Sequence, residues 1–278
     1  AFSLDDPATP LIADTRINHI SRDGGSWWAV DGKTRVHRDG AVVATGPDGV
    51  ALNCVQPAPG TTWVGATAAR LFRLEGDGLV EDETFAEAPG RDGWYTPWGG
   101  LPDVRSMAAD AAGALFVNVH VGGILRYDQN GLTPTLDQDS DVHQVIAHPT
   151  RPGTVLAACA RGMAFSTNGH DFEYRDDGLH ATYCRAVAIT GDTVLLSVST
   201  GPRSTRARLY RAGQTAGPFR ECREGLPEWF DDNLDTHCLA VVDGSVFAGH
   251  GGTVWRSDDD GETWIEVATG LPKVTCLA

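Results

Sequence analysis

Six times along the chain, a short β-rich run is followed by a turn and a second run that ends at or near glycine. A third run carrying arginine or an aromatic residue then leads into a variable tail. The units span 16–49, 50–103, 104–142, 143–183, 184–236 and 237–278, and the unit at 143–183, for example, reads HQVIAH, TVLAAC and MAFST. A glycine-led element recurs ahead of new units, as Gly100-Leu101-Pro102, Gly178-Leu179-His180, Gly225-Leu226-Pro227 and Gly270-Leu271-Pro272. A unit this small exposes apolar surface on both faces, and repetition around an axis buries both. The expected fold is therefore all-β: one β-propeller domain over 1–278 with six four-stranded blades. Seven blades is the alternative, because the terminal VTCLA reads as one more first strand, of a blade that the N-terminal segment would complete.

A tight turn supports this reading. The run Ser257-Asp258-Asp259-Asp260-Gly261-Glu262-Thr263-Trp264 follows a short apolar strand. An aspartate there can accept bonds from the amides of its own turn, glycine supplies a positive φ, and tryptophan packs underneath. A looser copy, one residue shorter, runs from Ser166 to Phe172.

Composition excludes several functions. No window approaches 18 consecutive apolar residues, so a membrane is not expected as a partner. The formal net charge of −15 leaves no basic stripe to replace phosphate counterions, which excludes nucleic acid. The six cysteines include no C-x-x-C pair and read as reduced thiols. The N-terminal residues lack a basic segment followed by an apolar one, so a cytoplasmic protein is expected, with a mature secreted chain as the alternative.

On the turn at 257–264 and the unit pattern, the chain resembles the Asp-box (BNR) repeat propellers of the WD40/YVTN/BNR-like superfamily. That group includes sialidases, sortilin-type receptors and photosystem assembly factors. The resemblance implies that Ser257, Asp259, Gly261, Thr263 and Trp264 are structural. Sialidases of the group hold a substrate carboxylate with three arginines, one within Arg-Ile-Pro. Here Arg16-Ile17-Asn18 matches two of those three positions, and Arg105 and Arg185 would complete the set. The resemblance also asks for a Tyr–Glu pair, for which Tyr183 and Glu228 stand by position. The missing proline counts against it, and the alternative is that these arginines are ordinary strand-end charges.

In a propeller, tails entering first strands and loops leaving second strands converge around the channel. Expected there as metal ligands are His120, His143, His237 and His250, with thiols nearby, for copper, zinc or iron. Without a metal, the same histidines, together with His180, would serve as general acids or bases, while the resemblance to sialidases implies catalytic roles for Tyr183 and Glu228. Arg105, Arg185, Tyr95, Trp98 and Trp229 would hold a small-molecule substrate. The bland alternatives are structural histidines and aromatic plugs between blades. Cys54, Cys184 and Cys238 begin first strands, where a one-residue slip moves them between channel and blade core. Three functions remain open: an enzyme with a His/Arg/aromatic pocket, a non-catalytic scaffold binding a protein partner, and a sialidase-like glycoside hydrolase.

Overall fold

A computed structural model describes residues 1, 3–6, 9–96, 99, 100 and 102–278. Six four-stranded antiparallel sheets follow one another in chain order, and each strand pairs with its sequence neighbour. They begin at Ile17–Asp23, Leu52–Ala58, Val104–Ala109, Val142–Ala147, Tyr183–Thr190 and Leu239–Val242. The molecule is a β-propeller of six complete blades. Among the described residues, no helix is long and apolar enough to cross a membrane.

Turn chemistry sets the strand pairing. Asp243 and Gly244 both take positive φ (51° and 83°), giving the two-residue hairpin that pairs Val242 with Ser245. The core lies between blades. Val30, Val36, Leu52, Val64 and Phe72 fill the seam between blades 1 and 2, and Leu195, Leu209, Trp255 and Trp264 the seam between blades 5 and 6. Each such side chain, fully buried, contributes about 1.5–3 kcal/mol. The seam between blades 6 and 1 is different. Among the described residues, three buried apolar side chains (Ile12, Ile17 and Ala29) occupy it, against nine between blades 1 and 2 and thirteen between blades 5 and 6.

At the 257–264 turn, Ser257 donates to Asp259 Oδ1 (2.8 Å) and accepts from Gly261 N (2.9 Å). Asp259 also accepts from Thr263 N (2.9 Å) and Thr263 Oγ1 (2.6 Å). The Trp264 indole donates to Gly261 O (3.2 Å) and is buried between blades 5 and 6. In the looser copy Asn168 replaces the aspartate and accepts from the amides of His170 and Asp171. The bonds from the Thr263 hydroxyl and amide hold the Asp259 carboxyl down at about 2. A depressed carboxylate stabilises the fold above its unfolded pKa near 4 and loses that contribution as pH falls towards 2. Asp259→Ala is therefore expected to lower the thermal midpoint by about 2–4 °C at pH 7, for a loss near 1 kcal/mol. The gap from wild type should narrow as pH drops from 4 to 2 in thermal melts.

Candidate functional site at the channel mouth

The first strands of blades 1 to 5 each break register with their second strands at the same height. The breaks fall at Ile17/His19, Leu52/Cys54, Val104/Ser106, Val142/Gln144 and Cys184/Val187. A bulge leaves its extra residue out of the ladder and re-aims its side chain. Those residues are Asn18, Asn53, Arg105, His143 and, with Ala186, Arg185. In blade 6 the matching place is held by His237, whose φ is +66°. A cleft of about 1360 Å³ opens here, and Asn18, Asn53, Arg105, Arg185, Asp235 and His237 line its channel end.

The charges are unevenly matched. Arg185 pairs with Asp235 (2.5 Å) and approaches the Tyr183 hydroxyl at 3.4 Å, while its buried Nε has no partner. The Arg105 guanidinium makes no hydrogen bond or ion pair among the described residues; it only feels the fields of Arg185, Tyr183, Asp141 and Asp235. Burial, then the neighbouring Arg185 charge, pushes its pKa down. It nevertheless stays charged at neutral pH.

Behind the guanidinium groups lies an imidazole layer. His143 Nδ1 donates to Cys184 O (2.5 Å), and the ring packs on Tyr183 with centroids 4.6 Å apart. Burial, then Arg105, pushes its pKa down to about 3, so the ring is neutral at pH 7. Its Nε2 lies 3.7 Å from Asp141, and His120 Nε2 lies 3.1 Å from the same carboxylate. Burial raises the Asp141 carboxyl, but the His120 bond and the electrostatic interactions with His143, His120 and Arg105 outweigh it and hold the carboxyl below its usual range. His237 packs against His19 with centroids 4.0 Å apart, and burial pushes its pKa down to about 4. Burial also keeps the Tyr183 phenol protonated, raising its pKa.

Arg105, Arg185, Tyr183, His120, His143 and His237 thus come together, and the other expected site residues do not join them. His250 pairs with Asp231 (2.7 Å) and meets Phe230 edge-on. His180 Nδ1 sits 2.9 Å from the Tyr210 hydroxyl, beside Trp229. Arg208 lies 3.5 Å from the Trp229 ring centroid and also 3.5 Å from Glu228, an exposed carboxylate. Glu228 therefore does not face Tyr183. The tails pack on the blade pair they connect, which carries them away from the bulged positions. Tyr95 is exposed, and Trp98 lies outside the described residues.

Among the described residues, no three His, Cys, Asp or Glu side chains group as a metal ion would require. Cys54, Cys159 and Cys184 lie in the blade cores rather than the channel, fully buried among apolar neighbours, whereas Cys276 lines the cleft. Burial pushes Cys159 up to about 12.

Sequence reasoning missed Asn18, Asn53, Asp141 and Asp235. A signal existed in Asp103-Val104-Arg105, Asp141-Val142-His143 and Asp235-Thr236-His237, which place an aspartate two residues before the channel residue in three blades.

No family model matches the chain, and no curated protein matches it. Solved structures do. A catalytically inactive virginiamycin B lyase from Staphylococcus aureus with quinupristin is 14% identical with a TM-score of 0.65, covering 91% of this chain and 84% of that one. The likeness is one of fold. The WD40 β-propeller domain of Doa1 (14% identity, TM-score 0.64) covers 90% of this chain and 81% of that one. The computationally designed Ika8 protein (14%, 0.63) covers 96% and 80%. The tie to Asp-box propellers remains a resemblance in the turn sequence.

Proposed function

We propose that the channel mouth binds a small anion of the carboxylate or phosphate class and that the protein acts on it as an enzyme. The observation that carries this reading is Arg105: a half-buried guanidinium without an ion-pair partner among the described residues, beside a second guanidinium. Two like charges in a poorly solvated cleft are costly, and an anion taken in a bidentate fork offsets that cost. Asn18, Asn53 and the Tyr183 phenol supply neutral groups around the same space. Tyr183 is the proton donor in this scheme, and His143, neutral and tied to Cys184 O, positions its ring. A propeller of similar shape serves an enzyme in the lyase neighbour, which supports catalysis; the Doa1 domain is the precedent for the scaffold alternative. The sialidase-like alternative lacks the Tyr–Glu contact, because Glu228 pairs with Arg208.

Calorimetric titration with small mono- and dicarboxylates and with inorganic phosphate tests the proposal. Saturable binding that weakens with added salt is expected. No binding by either class overturns the anion site and leaves the scaffold reading. Elemental analysis tests the transition-metal expectation separately. A stoichiometric copper, zinc or iron ion lost in His120→Ala and His143→Ala would support it. Metal-free protein with intact anion binding would remove it.

A further inference from the structure

The guanidinium pair at the channel mouth is matched by more carboxylates than it has charges. Asp103, Asp141 and Asp235 each stand two residues before a channel residue, at Arg105, His143 and His237. Asp103 and Asp141 lie within the field of Arg105, and Asp235 acts on both arginines. Burial holds His143 at about 3 and His237 at about 4, so neither ring adds a charge at pH 7. Two guanidinium groups thus meet three carboxylates. What the mouth has in excess is N–H donors. The Arg105 fork makes no bond among the described residues, and the buried Nε of Arg185 has no partner.

The three aspartates are held differently. Asp103 takes bonds from the Asn53 amide and the Ala68 N–H, and Asp141 faces His120 and His143. Of the three, Asp235 is the one ion-paired to an arginine, 2.5 Å from Arg185 Nη1. Its backbone is a strap tied to three blades. Asn233 Nδ2 donates to Gly201 O and Pro202 O (3.2 Å each), and Leu234 O accepts from the Ser197 hydroxyl (2.9 Å). The Thr236 hydroxyl reaches His143 O and Arg185 O, both at 3.3 Å. His237 N donates to Gln144 Oε1 (3.2 Å), and its ring Nε2 lies 3.4 Å from Arg105 O. The positive φ of His237 (66°) is uncommon for a residue with a side chain, and these bonds hold it there. A carboxylate on so fixed a backbone keeps its place beside Arg185 when a ligand arrives.

We propose that Asp235 is a specificity-determining residue that restricts the channel mouth to singly charged oxyanions by repelling a second negative charge. The inference rests on the anion site proposed above and narrows it. One negative charge spread over two or three oxygens satisfies the unused N–H groups. A second negative charge finds no further cation and meets Asp235 instead. A fixed like charge is how a site separates ligands of one shape. A monocarboxylate or a phosphodiester is favoured in this way over a dicarboxylate or a phosphate monoester.

Methyl sulfate and methyl phosphate share a shape, and at about pH 8 they differ by one charge. In calorimetric titrations the wild type should bind methyl sulfate at least about tenfold more tightly than methyl phosphate. Asp235→Asn should raise the affinity for methyl phosphate about tenfold more than that for methyl sulfate, so that the preference disappears. Damage to the fold cannot produce such a gain. Asp192→Asn removes the same charge from the opposite end of the strand Tyr183–Thr190, where Asp192 pairs with Arg151 (3.0 Å), and should alter neither affinity. Equal binding of the two probes by the wild type, or no gain for methyl phosphate in Asp235→Asn, overturns this inference and leaves the anion site standing. An equal gain in Asp192→Asn also overturns it, because net charge would then be the cause. Binding of neither probe by either the wild type or Asp235→Asn removes the anion site and this inference together.

Discussion

Arg105→Met should weaken anion binding about 10- to 100-fold while leaving the thermal midpoint unchanged or raised. The two effects have one cause. Among the described residues the guanidinium has no direct ion-pair partner, only the more distant fields of Asp141 and Asp235, and Arg185, already committed to Asp235, adds repulsion. Removing it costs the folded protein no hydrogen bond, and methionine keeps most of the stem packing. The bound anion loses a charge-assisted bond worth roughly 1.5–3 kcal/mol, which is the stated loss of affinity. Arg185→Met should behave differently, because it also strands Asp235 and removes a contact to Tyr183. Calorimetry and thermal melts on the two variants read both quantities. A midpoint that falls with Arg105→Met, together with unchanged affinity, would make that arginine structural.

The largest loss of stability is expected from Gly225→Ala, and a much smaller one from Gly270→Ala. Both glycines lead a Gly-Leu-Pro element and hold positive φ (82° and 69°), so alanine costs each about 1–2 kcal/mol of backbone strain. Beyond that they part. At 225 the new methyl would lie 1.8 Å from Trp264 O, a backbone atom that cannot swing aside. The seam must open, and Trp264 N, which donates to Glu224 O (2.9 Å), is pulled with it. The seam between blades 5 and 6 carries Trp255, Trp264 and Phe230, so a total above about 4 kcal/mol is expected. At 270 the methyl meets open space. Chemical denaturation of the pair should show a clear midpoint shift for 225 and a small one for 270. Equal losses at both would mean that strain alone explains the motif.

The fold was legible because its determinants are local and repeated. Turn residues such as Asp243-Gly244, alternating apolar runs and the recurrent Gly-Leu-Pro each specify one blade, and six copies reinforce one another. The recurrence of Gly225 now has a physical reason in the carbonyl of the next blade. The site was half legible. Arg105, Arg185 and Tyr183 were in view because guanidinium and phenol groups stand out at strand starts. Asn18 and Asn53 were passed over for their neighbours His19 and Cys54, since a bulge adds one residue and reverses which neighbour faces the channel. His180, Glu228 and Trp229 reach the mouth only if tails lean inwards, and His250 only if the loop leaving a second strand does. Their partners Tyr210, Asp231 and Arg208 hold them away from it instead.

The sparse packing between blades 6 and 1 also bears on traffic. Because the cleft runs unbroken from Arg105 to Trp27, solutes reach the guanidinium pair sideways through the flank of the disc as well as down its axis. Whatever occupies that flank therefore acts as a door: it sets how large a molecule can arrive and how quickly it can leave.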